Sequence, residues 1–129
     1  MPELAPGLRG ELTIQVDESV AAGHIGGGTH RVFSTPSMVA LMERTCTEMV
    51  QPFLPEGDTT AGVIVHLHHL HATPLGMRVT AKAELTGVDG RFLDFTAEIF
   101  DERRKVGEGA HRRAIIHTAR FLERLERGE

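Results

Sequence analysis

The stretch that decides the fold is Ser34-Thr35-Pro36-Ser37-Met38-Val39-Ala40-Leu41-Met42-Glu43-Arg44-Thr45-Cys46-Thr47-Glu48-Met49-Val50-Gln51. Set at about 100° per residue, Met38, Val39, Met42, Cys46, Met49 and Val50 fall on one arc, with Arg44, Thr47, Glu48 and Gln51 opposite. The spacing predicts an amphipathic helix from Pro36 to about Gln51. Ser34 or Thr35 can cap a free backbone N–H at its start, and a proline at the first helical position gives up a donor that has no partner there. Pro52 and Pro55-Glu56-Gly57-Asp58 end it.

Upstream, Leu12, Ile14 and Val16 alternate with Glu11, Thr13 and Gln15, which predicts a half-buried strand from Arg9 to Val16. Gly23, Gly26, Gly27 and Gly28 then form a permissive backbone, readable as an ordinary connecting loop or as a lid over a pocket. Downstream, almost everything reads as strand. Val63, Val65 and Leu67 share one face of a run ending at Ala72. Met77, Val79, Ala81, Ala83 and Leu85 alternate with Arg78, Thr80, Lys82 and Glu84, and Asp89-Gly90 signals a hairpin into Leu93, Phe95, Ala97 and Ile99. A second hairpin at Asp101 to Lys105 leads to a last strand ending near His117, and Arg120 to Arg127 reads as a short charged helix. One strand, one long helix and four strands in meander order, without βαβ alternation, exclude a parallel sheet. They predict an α+β fold: one long helix wrapped by an antiparallel sheet of about five strands.

The length of 129 residues fits a single domain over 1–129, and 40% hydrophobic with 25% charged residues is a globular composition. No apolar run is long enough to span a membrane. A net charge of -4 gives no general attraction for phosphate backbones, so nucleic acid is not an expected partner. The single cysteine, Cys46, and a start without a basic and then apolar segment point to the cytoplasm. An open sheet has edges that need cover, and pairing of edge strands would give a homodimer or a larger homo-oligomer.

Three features exceed what a scaffold requires. Glu43 lies at the border of the helix's apolar arc, where a carboxylate is either held for proton transfer or orientation, or snorkels outward. In Val65-His66-Leu67-His68-His69-Leu70-His71, period 2 puts His69 and His71 on the side of Val65 and Leu67, with His66 and His68 on the other. A metal site there lacks third and fourth ligands, and the plainer reading is surface and interface histidines, one of them catalytic. The helix start offers free N–H groups to a developing oxyanion, with Thr35 either capping or reacting beside it.

These features occur in an ordered set: Val32-Phe33-Ser34-Thr35, Met38-Val39, Leu41-Met42-Glu43, Gly62 seven residues before His69, Ala72-Thr73-Pro74, Gly76, His111, Arg113-Ala114 and Ile116-His117. From about Val32 to Phe121 the chain resembles the hot-dog-fold thioesterases of the fluoroacetyl-CoA thioesterase type. The resemblance implies a hot-dog fold, an acyl-CoA substrate, no cofactor beyond the coenzyme A of that substrate, and a dimer with active sites at the subunit interface. It implies a catalytic group of Thr35, Glu43 and His69, with Gly62 near the substrate carbonyl and Arg113 in substrate binding. His69 is the expected general base, and Glu43 an orienting group or a nucleophile. Where the family has phenylalanines before this segment, the chain has Gly26 to Thr29 and His30, so fluoroacetyl selectivity is not expected to carry over. A hot-dog hydratase acting on an enoyl thioester, and a non-catalytic acyl-CoA binding protein, are the alternatives.

Overall fold

The computed structural model describes residues 3–21 and 31–129; the glycine-rich stretch from Gly23 to Gly28, read above as a connecting loop or a lid, lies outside them with Thr29 and His30. The expected helix is present as α1, Thr35–Val50, extended by a 3-10 turn at Gln51–Phe53. Ser34 is its cap, because the Ser34 hydroxyl accepts from the Ser37 amide at 3.1 Å. Pro36 is therefore the second helical residue, still inside the first turn, where backbone donors lack intrahelical partners.

Five antiparallel strands surround α1 in sequence: β1 (Arg9–Gln15) before it, then β2 (Asp58–His69), β3 (Arg78–Asp89), β4 (Phe92–Phe100) and β5 (Lys105–His117). A second helix, α2, spans Thr118–Glu126. Gly90, with φ of 61°, takes the first central position of the two-residue β3–β4 turn, as the Asp89-Gly90 signal anticipates. Asp101 organises the next hairpin: its Oδ1 accepts from the amides of Arg103 and Arg104, and its Oδ2 from the Thr73 hydroxyl. Among the described residues, no helix is long and apolar enough to cross a membrane.

The strand order β1-β3-β4-β5-β2 corrects the expected four-strand meander. Only β3, β4 and β5 follow one another; β2 crosses to the far edge and pairs with β5. The segment between β2 and β3 makes this crossing beneath the start of α1, held by the Phe33 amide on the Thr73 carbonyl at 2.9 Å and the Gly76 amide on the Val16 carbonyl at 2.8 Å. With β1 and β2 at opposite edges, α1 contacts both edges and the strands between them.

The core lies between α1 and the sheet in two continuous parts. One joins Met38 and Leu41 to Phe33, Val79, Ala81 and Ile99; the other joins Met42, Cys46 and Val50 to Leu85, Leu93 and Phe95. Each large apolar side chain so buried contributes about 1.5–3 kcal/mol. Val63 and Val65, expected on the helix-facing side, are instead 51% and 44% exposed. They sit on an edge strand, and the register shift between Gly62 and Ile64 breaks the alternation on which the expectation rested.

Because Ser34 carries the cap and the Thr35 side chain is outside it, Ser34→Ala is expected to lower unfolding free energy by about 1 kcal/mol. Thr35→Ala, which loses one exposed bond to His69, should cost less, about 0.5 kcal/mol. Urea denaturation of both variants checks the contrast.

Candidate functional site

The N-terminus of α1 and the C-terminal end of β2 meet. Thr35, freed from capping, places its hydroxyl 2.8 Å from Nδ1 of His69. Phe33 meets the His69 ring edge-on, with centroids 6.4 Å apart. The other ring nitrogen, Nε2, is buried and has no hydrogen-bond partner among the described residues. Burial lowers the His69 pKa below its ordinary value, with a weaker opposing pull from the His71 backbone, so the neutral imidazole prevails at pH 7. An open cavity of about 380 Å³ lies over this pair, lined by Phe33, Thr35, Pro36, His69 and His71 among others.

The oxyanion-binding capacity of the helix start is narrower than the sequence implies. Pro36 has no N–H, the Ser37 amide is taken by the Ser34 hydroxyl, and the Met38 amide bonds the Ser34 carbonyl. This leaves the Thr35 amide as the first-turn donor without a partner among the described residues.

Glu43 belongs to a second group. Eight residues separate it from Thr35, about 12 Å of helix rise. Its Oε2 is 3.5 Å from Nη1 of Arg113 and 4.0 Å from Nε2 of His111. Gly62 faces it so closely that a Cβ there would stand 2.7 Å from Oε2, so only glycine leaves the carboxylate in place. Gly62 and His69 are seven residues apart, an odd number that would put them on opposite faces of a regular strand. The bulge after Gly62 shifts the alternation, and both face α1.

Arg113 is buried, and its donors are shared out. Nε donates to the Thr60 hydroxyl at 2.7 Å, Nη2 to the Thr60 carbonyl at 2.9 Å, and Nη1 lies 3.0 Å from Nε2 of His111. Nδ1 of His111 is 2.7 Å from the Ile64 carbonyl, which can only accept, so the proton sits on Nδ1 and Nε2 accepts from the guanidinium. Burial and the Arg113 charge lower the His111 pKa, against the bond to Ile64 and the Glu43 charge. The His111–Glu43 approach is therefore a contact with a neutral ring. Desolvation likewise pushes the Cys46 thiol up to about 12, which removes it as a nucleophile.

Of the five residues singled out by resemblance, one chain brings Thr35 to His69, and Glu43 to Gly62 and Arg113, as two separate groups. His66 and His68 turn to the opposite face of β2, where their rings stack at 5.1 Å. The residues that sequence reasoning missed are Thr60 and the acceptor role of His111. His111 stands two residues before Arg113 on one strand, a spacing that puts both on the same face.

Comparison with known proteins gives a consistent result. The family described as fluoroacetyl-CoA-specific thioesterase matches residues 16–119. The fluoroacetyl-CoA thioesterase of Streptantibioticus cattleyicolor is 40% identical over 90 residues, a match spanning 70% of this chain and 65% of that relative. The crystal structure of a phenylalanine-to-alanine mutant of the fluoroacetyl-CoA-specific thioesterase superposes with a TM-score of 0.93 at 30% identity, covering 100% of both chains. A thioesterase superfamily member from Thermus thermophilus superposes with a TM-score of 0.88 at 26% identity, covering 98% of this chain and 94% of that one. The architecture is the hot-dog fold of these thioesterases.

The lowered pKa values of His69 and His111 fix a sign for stability against pH. An unfolded histidine titrates near 6.5, so between that pH and the folded value the unfolded chain binds more protons. The stability is present in full above about pH 6.5 and is lost as pH falls toward the folded values. Urea midpoints from pH 8 to pH 5 are expected to fall, and His111→Gln, which cannot charge, should flatten that slope.

Proposed function

The chain belongs to the fluoroacetyl-CoA-specific thioesterase family, and on that premise we propose that it hydrolyses the thioester of a short or medium acyl group carried on coenzyme A. The observation that carries the reading is the Thr35–His69 pair at the start of α1, 2.8 Å apart beside an open cavity. A thioester carbonyl is already electrophilic, so the site must supply an oxyanion donor, a positioned base and little else. Neutral His69 is the base: it takes the proton of the Thr35 hydroxyl or of a water and returns it to the leaving thiol. The Thr35 amide, without a partner among the described residues, is the donor on this side of the carbonyl.

The second group completes the site from a second copy of the chain. β2 is an edge strand, and its middle exposes Val63, Ile64 and Val65 at 51%, 55% and 44%. A row of unpaired backbone groups flanked by apolar side chains favours pairing with an identical edge. Antiparallel pairing centred between Val65 and His66 would set Gly62 of one subunit opposite His69 of the partner subunit. Glu43, backed by Arg113, would then orient the water or the threonine, or attack the carbonyl itself. The protein would act as a cytoplasmic homodimer with two equivalent sites.

An acyl-CoA panel followed by release of free thiol tests the chemistry. Thr35→Ala, Glu43→Gln and His69→Ala are each expected to lower kcat/KM by about 10²-fold or more; wild-type turnover in all three folded variants would sink the assignment. Shared sites predict more. Co-expressed Thr35→Ala and Glu43→Gln subunits should recover about a quarter of wild-type activity, because half the dimers are mixed and each carries one intact site. Activity no higher than the two variants separately would place both groups of a site in one chain.

A further inference from the structure

A cavity of about 510 Å³ opens where β5 passes into α2. Arg91, Arg120, Arg124 and Arg127 surround it, and Ile115 and Ile116 line its apolar wall. Four guanidinium groups converge here on a chain whose net charge is -4. Arg120 and Arg124 on α2, and Arg127 at its C-cap, recur at intervals of four and three, so they lie along one side of the helix. Arg91 joins them from the β3–β4 turn, its guanidinium 5.0 Å from the centre of the Phe92 ring.

Neighbouring acids do not consume this charge. Arg127 is paired with Glu129 at 2.8 Å, but among the described residues Arg120 and Arg124 have no ion pair. Glu123 and His117 also reach the cavity, which leaves a clear excess of positive charge. The four arginines are exposed, so their forks can turn toward a ligand without first leaving a buried network.

The position of the cavity indicates what it would hold. Ile115 lies two residues beyond Arg113 on the same face of β5, about 7 Å along the strand. A chain leaving the Glu43–Arg113 group past Ile115 would reach the arginines after the end of β5. Planar guanidinium forks match phosphate oxygens two at a time, which makes clustered arginines a phosphate site rather than a site for a single carboxylate.

We propose that this cavity binds the phosphorylated adenosine end of coenzyme A, the pyrophosphate and 3′-phosphate falling to Arg120, Arg124 and Arg91 while the pantetheine arm passes over Ile115. The inference rests on the thioesterase reading for its substrate, and its test separates the two. The measurement is the ratio of kcat/KM for an acyl-CoA to that for the same acyl group on pantetheine, which lacks the nucleotide. In the double variant Arg120→Gln/Arg124→Gln this ratio should fall by at least about tenfold, and Arg91→Gln, on a separate element, should move it the same way. Calorimetry with adenosine 3′,5′-bisphosphate should show saturable binding to the wild type that the double variant loses. An unchanged ratio, or no binding of the bisphosphate by the wild type, would overturn the proposal. If the wild type turns over neither thioester, the thioesterase reading fails, and the calorimetric result alone decides the cavity.

Discussion

The rest of the structure depends on one packing constraint: α1 must bury a single apolar arc against a sheet that reaches it from both edges. Met38, Leu41, Met42, Cys46 and Val50 occupy that arc and are almost wholly withdrawn from solvent. Residues at its border are then fixed in direction without being buried. Thr35 and Glu43 are such residues, and both turn toward β2. The two polar groups that make up the candidate site are thus consequences of how the helix is seated, and they inherit its rigidity. Loosening the core beneath Met38 or Met42 would move a hydroxyl or a carboxylate as well as weaken the fold.

The second group rests on an unusual division of labour. A guanidinium with 6% exposure is costly unless its donors are answered. Arg113 is answered mainly by neutral acceptors: both oxygens of Thr60 and the unprotonated nitrogen of His111. Glu43 is 39% exposed and 3.5 Å away, so it balances the charge without being locked to it. A carboxylate tied down by a bidentate arginine would have little left for a substrate. The neutral histidine is what leaves Glu43 uncommitted.

How much of this was legible in the sequence varies with the range of the interaction. The helix, β3 and β4 follow from local periodicity, since Val79, Ala81, Ala83 and Leu85 and then Leu93, Phe95, Ala97 and Ile99 alternate without interruption and all prove buried. The place of β2 beside β5 does not follow, because strand order is decided by which distant edges meet. The pairing of Thr35 with His69 was foreshadowed only by an ordered set of motifs, each of them unspecific alone. The choice between capping and reaction at Thr35 depends on the backbone at the helix start, since Ser34 and Thr35 are both favoured capping residues. The acceptor role of His111 was beyond reach, as it depends on the Ile64 carbonyl, which the bulge turns toward the imidazole.

That bulge gives the histidine run another meaning. In a strand, inserting or deleting one residue reverses which side chains point inward beyond it. His69 faces the helix only because the count from the bulge is right, with His69 opposite Gly107 on β5. One extra residue between Ile64 and Leu67 would carry His69 past that position and deliver His68 to it. The inward residue would still be an imidazole, offered to the same threonine. Two adjacent histidines therefore make the strand tolerant of one added residue, which would exchange this group for its chemical twin, whereas one lost residue would deliver Leu70 in its place.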